Sequence, residues 1–172
     1  RRTSNGVKKY SNILWGLGIG AIGLIGLIWL SSAGSLGSQN TQGTSNGFLS
    51  AEETSFDFGN ISMAKGNVSH IFKIKNNSSD TVDVTKIYTS CMCTQATLIN
   101  KNSKKGPFGM AGMGFIPEIK ETINPGKEAE VEVVFDPAAH GPAGLGRIER
   151  TISLENNGKG RIDISISVNV TP

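Results

Sequence analysis

Cysteine is nearly absent from this chain: two residues in 172, Cys91 and Cys93. That excludes the multi-bridge framework that staples small secreted domains. Aromatics make up 6% and charged residues 18%, so neither a broad aromatic face nor a strongly charged one is on offer. Histidine occurs only at His70 and His140. No acidic residue precedes Glu52, and no basic residue lies between Lys9 and Lys65. The net charge of +3 is therefore a local matter, supplied by Arg1, Arg2, Lys8 and Lys9. From residue 51 onward, 13 bases face 14 acids. A nucleic-acid binder needs a basic face on its folded part, and this balance provides none. No phosphate loop, carboxylate pair or nucleophile elbow is present, so the sequence gives no reason to read an enzyme.

What is there begins with one long apolar run. Ile13 to Leu30 carries no charge, and its eighteen residues would rise about 27 Å as a helix. The hydrocarbon layer is about 30 Å thick. Trp15 and Trp29 stand near opposite ends, where indole rings favour the interfaces. The four bases before the run predict a cytoplasmic segment 1–12, a single transmembrane helix 13–30 and an extracytoplasmic remainder, periplasmic or at the cell surface. A cleaved signal peptide is the rival, with Ser31-Ser32-Ala33 as the small-residue site. The apolar core is longer than a signal h-region, which favours a retained anchor. Gly16 and Gly20 have the spacing that lets two membrane helices approach, a candidate homodimer contact. Residues 31–50 are Ser-, Gly-, Asn- and Gln-rich without charge or proline, and read as a flexible linker.

From 51 to 172 the dominant period is two. Val68, His70, Phe72 and Ile74 share one parity, as do Ala129, Val131, Val133 and Phe135. Ile162, Ile164, Ile166, Val168 and Val170 make a third set. Ile148, Ile152 and Leu154 make a fourth, with Arg150 on the same parity. Val82 and Val84 begin another strand that runs toward the cysteines, and Ser55 to Phe58 reads as a short first strand. A half-buried strand puts such sets on one face; a helix does not. Asn124-Pro125-Gly126 and Asn156-Asn157-Gly158-Lys159-Gly160 are turn chemistry. The expectation is an all-β domain, an immunoglobulin-like β-sandwich of about seven strands. Residues 100–122 break the rhythm with a glycine-rich excursion, and such long loops are functional or disordered.

The chemistry-bearing residues are few. Cys91 and Cys93 flank Met92, and an extended segment would point both thiols to one face. Met110 and Met113 in the excursion and His140 after Asp136-Pro137 would complete a candidate metal site. Thiolate and thioether donors favour Cu(I), whereas zinc rarely takes methionine. Three other readings stand beside this one. The cysteines are buried small hydrophobes at a strand end, or outside the cytoplasm they are oxidised to a strained, readily reduced disulfide. A cysteine with His140 is also a nucleophile–base pair, but no third orienting group accompanies it. His70, on the apolar parity, reads as a satisfied core histidine.

Several segments in order resemble a known bacterial family. These are Phe56-Asp57-Phe58-Gly59, Phe72-Lys73-Ile74-Lys75-Asn76, Cys91-Met92-Cys93-Thr94, Ile123-Asn124-Pro125-Gly126 and Val133-Val134-Phe135-Asp136. The family is the one called domain of unknown function 1573, and the resemblance covers about residues 53–171. It implies an immunoglobulin-type sandwich, akin in architecture to the Ig-like modules of ciliary proteins, and implies no settled activity. Met92 stands where glycine is frequent, and the Gly109–Met113 excursion is an insertion relative to shorter members. The expected function is a membrane-anchored, extracytoplasmic binding or assembly module, not an enzyme, with an unknown protein partner and no nucleic acid. The alternatives are a Cu(I)-handling protein and a thiol-redox protein.

Overall fold

The computed structural model describes residues 48–101, 103–158 and 160–172. The expected segment 1–12, helix 13–30, the Gly16/Gly20 contact and linker residues 31–47 lie outside the described residues. Among the described residues, no helix is long and apolar enough to cross a membrane.

Among the described residues, ten strands form two five-stranded sheets. They are β1 (Leu49–Ala51), β2 (Ser55–Ser62), β3 (Val68–Asn76), β4 (Val82–Thr89), β5 (Thr94–Asn100), β6 (Ser103–Phe108), β7 (Glu121–Ile123), β8 (Glu128–Phe135), β9 (Gly146–Asn156) and β10 (Arg161–Thr171). One sheet has the order β1-β3-β8-β5-β6 and the other β2-β10-β9-β4-β7. All pairs are antiparallel except β10 with β2. The alternation marks β2, β3, β4, β8, β9 and β10. The expected count of about seven falls short because β1, β6 and β7 are short strands at sheet edges, where few residues must face the core. β1 begins at Leu49, within the stretch expected as linker, and Leu49 is fully buried against β3. β5 hides for another reason: Ala96, Thr97 and Leu98 are all buried, so no two-residue rhythm shows. The glycine-rich excursion is partly ordered, since β6 pairs with β5 inside it.

The core lies between the sheets. Phe72, Ile74, Leu98, Val131 and Val133 come from one side, and Ile152, Leu154, Ile162, Ile164 and Ile166 from the other. Each is almost wholly buried, which stabilises by about 1.5–3 kcal/mol per large side chain. His70 departs from the core reading. It is half-buried, stacks on Phe56 with ring centroids 3.6 Å apart, and places Nε2 2.9 Å from Glu53 Oε2. The two ends of the sandwich differ. One is braced by Asn76, fully buried, whose Nδ2 donates to Asp80 O (2.7 Å) and Ile123 O (2.8 Å). Its Oδ1 accepts from Ser78 N (2.9 Å) and Ser78 Oγ (2.7 Å). Phe48 enters at this end, where its carbonyl accepts from Asn77 N. The opposite end carries the cysteines.

Candidate functional site

Two connections cross between the sheets at the cysteine end. The first is the short link from β4 to β5, and the second runs from β8 to β9. The first is a turn rather than the extended segment expected: Thr94 N donates to Cys91 O at 3.1 Å. A chain leaving one sheet for the other has only four residues in which to turn, so it cannot stay extended. The turn still buries both thiols, leaving 7% of Cys91 and 3% of Cys93 exposed, and turns Met92 out to solvent. Thr89, at the end of β4, steadies it; its hydroxyl lies 2.9 Å from Cys91 O and 3.0 Å from Thr94 O, sharing one proton between them. Ser90 ties the turn to β9, donating from N to Thr151 O and accepting at Oγ from Thr151 N (3.0 Å).

The second connection starts from Asp136. Its backbone N donates to Cys93 O (2.9 Å), and its Oδ1 accepts from Ala138 N (2.8 Å) in an Asx turn. Asp136 thus caps the turn through Pro137. A 3-10 helix, Gly141–Gly144, then folds back against His140. A Cβ at Gly144 would lie 3.1 Å from His140 Cβ, so a side chain there would need His140 to give by a few tenths of an ångström.

These two crossings bring Cys91, Cys93 and His140 together, with their ligand atoms within 4.8 Å of one another. Cys93 Sγ donates to Cys91 Sγ at 2.6 Å, about half an ångström longer than a disulfide bond. His140 Nε2 lies 3.1 Å from Cys91 Sγ, and Cys93 N donates to the same sulfur at 3.4 Å. A fourth group completes the site. Arg150, on β9, donates from Nε to Cys93 Sγ at 3.3 Å and from Nη1 to Glu149 O at 2.8 Å. The sequence reading did not assign it a role, yet its signal was present: a guanidinium on the apolar parity of β9.

Electrostatics separates the two thiols. Burial pushes Cys91 up, but the Cys93 thiol donating to it, His140, the Cys93 N–H and the charge of Arg150 together outweigh burial and bring it to about 7 from 9.0. Cys93 moves the other way. Burial and the proton it shares with Cys91 hold it above 9.0, against the bonds from Arg150 and Thr94. Burial works against the Arg150 charge, but the bond to Cys93 and the field of both sulfurs raise its pKa. The result is one thiolate, one thiol, an imidazole and a cation in contact.

Met110 and Met113 stand elsewhere. The Met110 backbone bridges to Thr89, but both side chains line a cavity of about 400 Å³ with Ile87, Phe108 and Phe115. Its walls contain neither cysteine nor His140. Met113 is 66% exposed. Of the expected five-residue set, Cys91, Cys93 and His140 converge, and the two methionines line this cavity.

Comparison with known proteins bears on the same turn. The model of the family described as "Protein of unknown function (DUF1573)" matches residues 49–118. Over those residues, fewer than half of the chain, the sequence is similar to the DUF1573 family. The DUF1573 match holds Cys91, Cys93, Met110 and Met113 and stops short of His140 and Arg150. No curated protein matches the chain. A protein of unknown function from Porphyromonas gingivalis W83 is similar in structure, with 15% identity and a TM-score of 0.53 over 72% of this chain and 46% of that one. This chain therefore spans under half the length of that protein, and the likeness concerns the fold alone. The ASH/PapD-like domain 7 of human CEP192 gives 10% identity and a TM-score of 0.46, covering 81% of this chain and 95% of that one. The YadV chaperone gives 7% and 0.48, covering 73% and 53%. The segment that the DUF1573 model matches lies in an all-β sandwich of two sheets.

Proposed function

We propose that this chain is an Ig-like binding module whose ligand is Cu(I), held by Cys91, Cys93 and His140. The observation that carries the reading is the convergence of three soft donors beside a fixed cation. The donor set suits Cu(I) or zinc. Charge decides between them. Two thiolates and Cu(I) sum to −1, which Arg150 neutralises. Two thiolates and zinc sum to zero, and Arg150 would then leave an uncompensated positive charge in a partly buried site. Structural zinc also takes four protein ligands, and three are gathered here. Loading needs a small rearrangement. With sulfurs about 2.3 Å from a trigonal ion they stand about 4 Å apart, so the 2.6 Å contact opens by rotation of one cysteine.

In this reading the module is extracytoplasmic and anchored by residues 13–30. The bases ahead of that run and the uncharged linker after it support the placement. The test is titration of the reduced, metal-free full chain with Cu(I) against a competing chelator. Wild type takes up one ion that the Cys91→Ser/Cys93→Ser variant does not. Equal uptake by both removes the reading.

A second reading, docking of a protein partner, is favoured by Phe115, 88% exposed, beside Met113 on the excursion. Cross-linking in intact membranes that is lost on Phe115→Ser, with the fold unchanged, supports it. Cross-links that survive the change exclude the loop.

A further inference from the structure

Beside the thiol cluster lies a cleft whose walls contain neither cysteine. It holds about 390 Å³, and its walls include His140, Leu145, Arg147, Ile148, Glu149 and Arg150. His140 and Arg150 belong to both the cleft and the thiol cluster. A molecule seated in the cleft therefore lies one side chain away from Cys91 and Cys93. The cleft carries two guanidiniums and an imidazole against one carboxylate. Arg147 is partly committed, since it donates to Asp57 Oδ2 and Ser167 Oγ, both at 3.2 Å. Arg150 points its Nε at sulfur. The balance favours an anionic visitor, and the two sulfurs give that visitor something to react with.

We propose that the cleft admits a small disulfide bearing carboxylates, and that Cys91 and Cys93 undergo thiol–disulfide exchange with it. The Cys91 thiolate attacks one sulfur of the visitor. A bond forms between Cys91 Sγ and that sulfur, the visitor's own S–S bond breaks, and the first thiolate leaves with the electron pair and takes a proton from solvent. Cys93 Sγ then attacks Cys91 Sγ, losing its proton to solvent. The mixed disulfide breaks and the second thiolate leaves. In sum, the protein dithiol is oxidised to the Cys91–Cys93 disulfide and the visitor is reduced to two thiols. The geometry makes the second step short. The β4–β5 turn already holds the two sulfurs against each other, so the second step needs no large movement of the chain. Exchange proceeds through such a mixed disulfide and reverses under a reducing poise.

The proposal rests on the cluster and not on the metal, so its test is run metal-free. The reduced full chain is mixed anaerobically with oxidised glutathione as the probe and followed by mass spectrometry and thiol counting. Wild type is expected to lose both free thiols to an internal disulfide and to release two reduced glutathiones per chain. Cys93→Ser is expected to stall as a single mixed disulfide at Cys91. Two thiols surviving in wild type overturn the exchange whatever the variant does. For the cleft, the comparison is with 2-hydroxyethyl disulfide, which carries no charge. Relative to a free dithiol, the protein is expected to favour the glutathione probe by about tenfold, and Arg150→Gln to erase that preference. Equal relative rates overturn the assignment of the cleft. Because no copper is present, a failed copper titration and a failed exchange are separate results.

Discussion

The sharpest consequence of the site is the pH at which Cys91 becomes reactive. Its thiol titrates near 7, where an ordinary cysteine titrates near 9.0. At pH 7 the thiolate fraction is then about one half, against about one per cent for an unperturbed thiol, a ~50-fold gain in the reactive form. A less basic thiolate is also a weaker nucleophile. With a Brønsted slope of about 0.4–0.5, two pH units remove about 6–10-fold, so the net gain at pH 7 is only about 5–8-fold. Restricted access of the reagent slows the whole curve without moving its midpoint, so the midpoint is the quantity to measure. The assay is the rate of reaction with a small neutral disulfide between pH 5 and 10, with the labelled residue read by peptide mass mapping. Cys91 is expected to give a midpoint near 7. His140→Ala and Arg150→Gln are each expected to move it upward, because each removes a group that favours the thiolate. A Cys91 midpoint near 9, unmoved by either change, refutes the electrostatic account. The same shift is linked to stability. A depressed thiol pKa stabilises the folded state fully above about 9, and that contribution disappears as pH falls through about 7. Cys93 runs the opposite way, and its contribution is lost as pH rises beyond 9.0 through its raised value.

Arg150→Gln is expected to weaken Cu(I) affinity by about tenfold or more while leaving zinc affinity unchanged or higher, as read by chelator competition for each metal. An equal fall for both metals would reduce Arg150 to a scaffold residue. At the other end of the sandwich, Asn76→Ala removes four hydrogen bonds and strands Ile123 O. A loss of about 2–4 kcal/mol is expected in urea unfolding with an unchanged slope. A loss under about 1 kcal/mol would mean that the network is dispensable.

The long strands were legible because burial on one face imposes alternation, and β3, β8 and β10 show it without interruption. β1 and β7 were not, since three residues carry too little pattern to distinguish strand from loop. β5 was hidden by being covered on both sides. The site was legible in part. Cys91, Cys93 and His140 could be nominated from the softness of their side chains, and the two sheet crossings unite them. Met110 and Met113 were nominated on the same chemistry, but no local pattern tells which wall a loop side chain will join. Arg150 was visible all along as a charge out of place among Ile148, Ile152 and Leu154. A misplaced charge in an apolar register marks a partner that sequence spacing cannot name, and here that partner is the Cys93 sulfur.

The strand from Asn76 back to Val68 runs the length of the sandwich, about 30 Å at 3.3 Å per residue. Phe48 sits at one pole and the sulfurs at the other. Whatever visits the sulfurs arrives at the pole opposite Phe48.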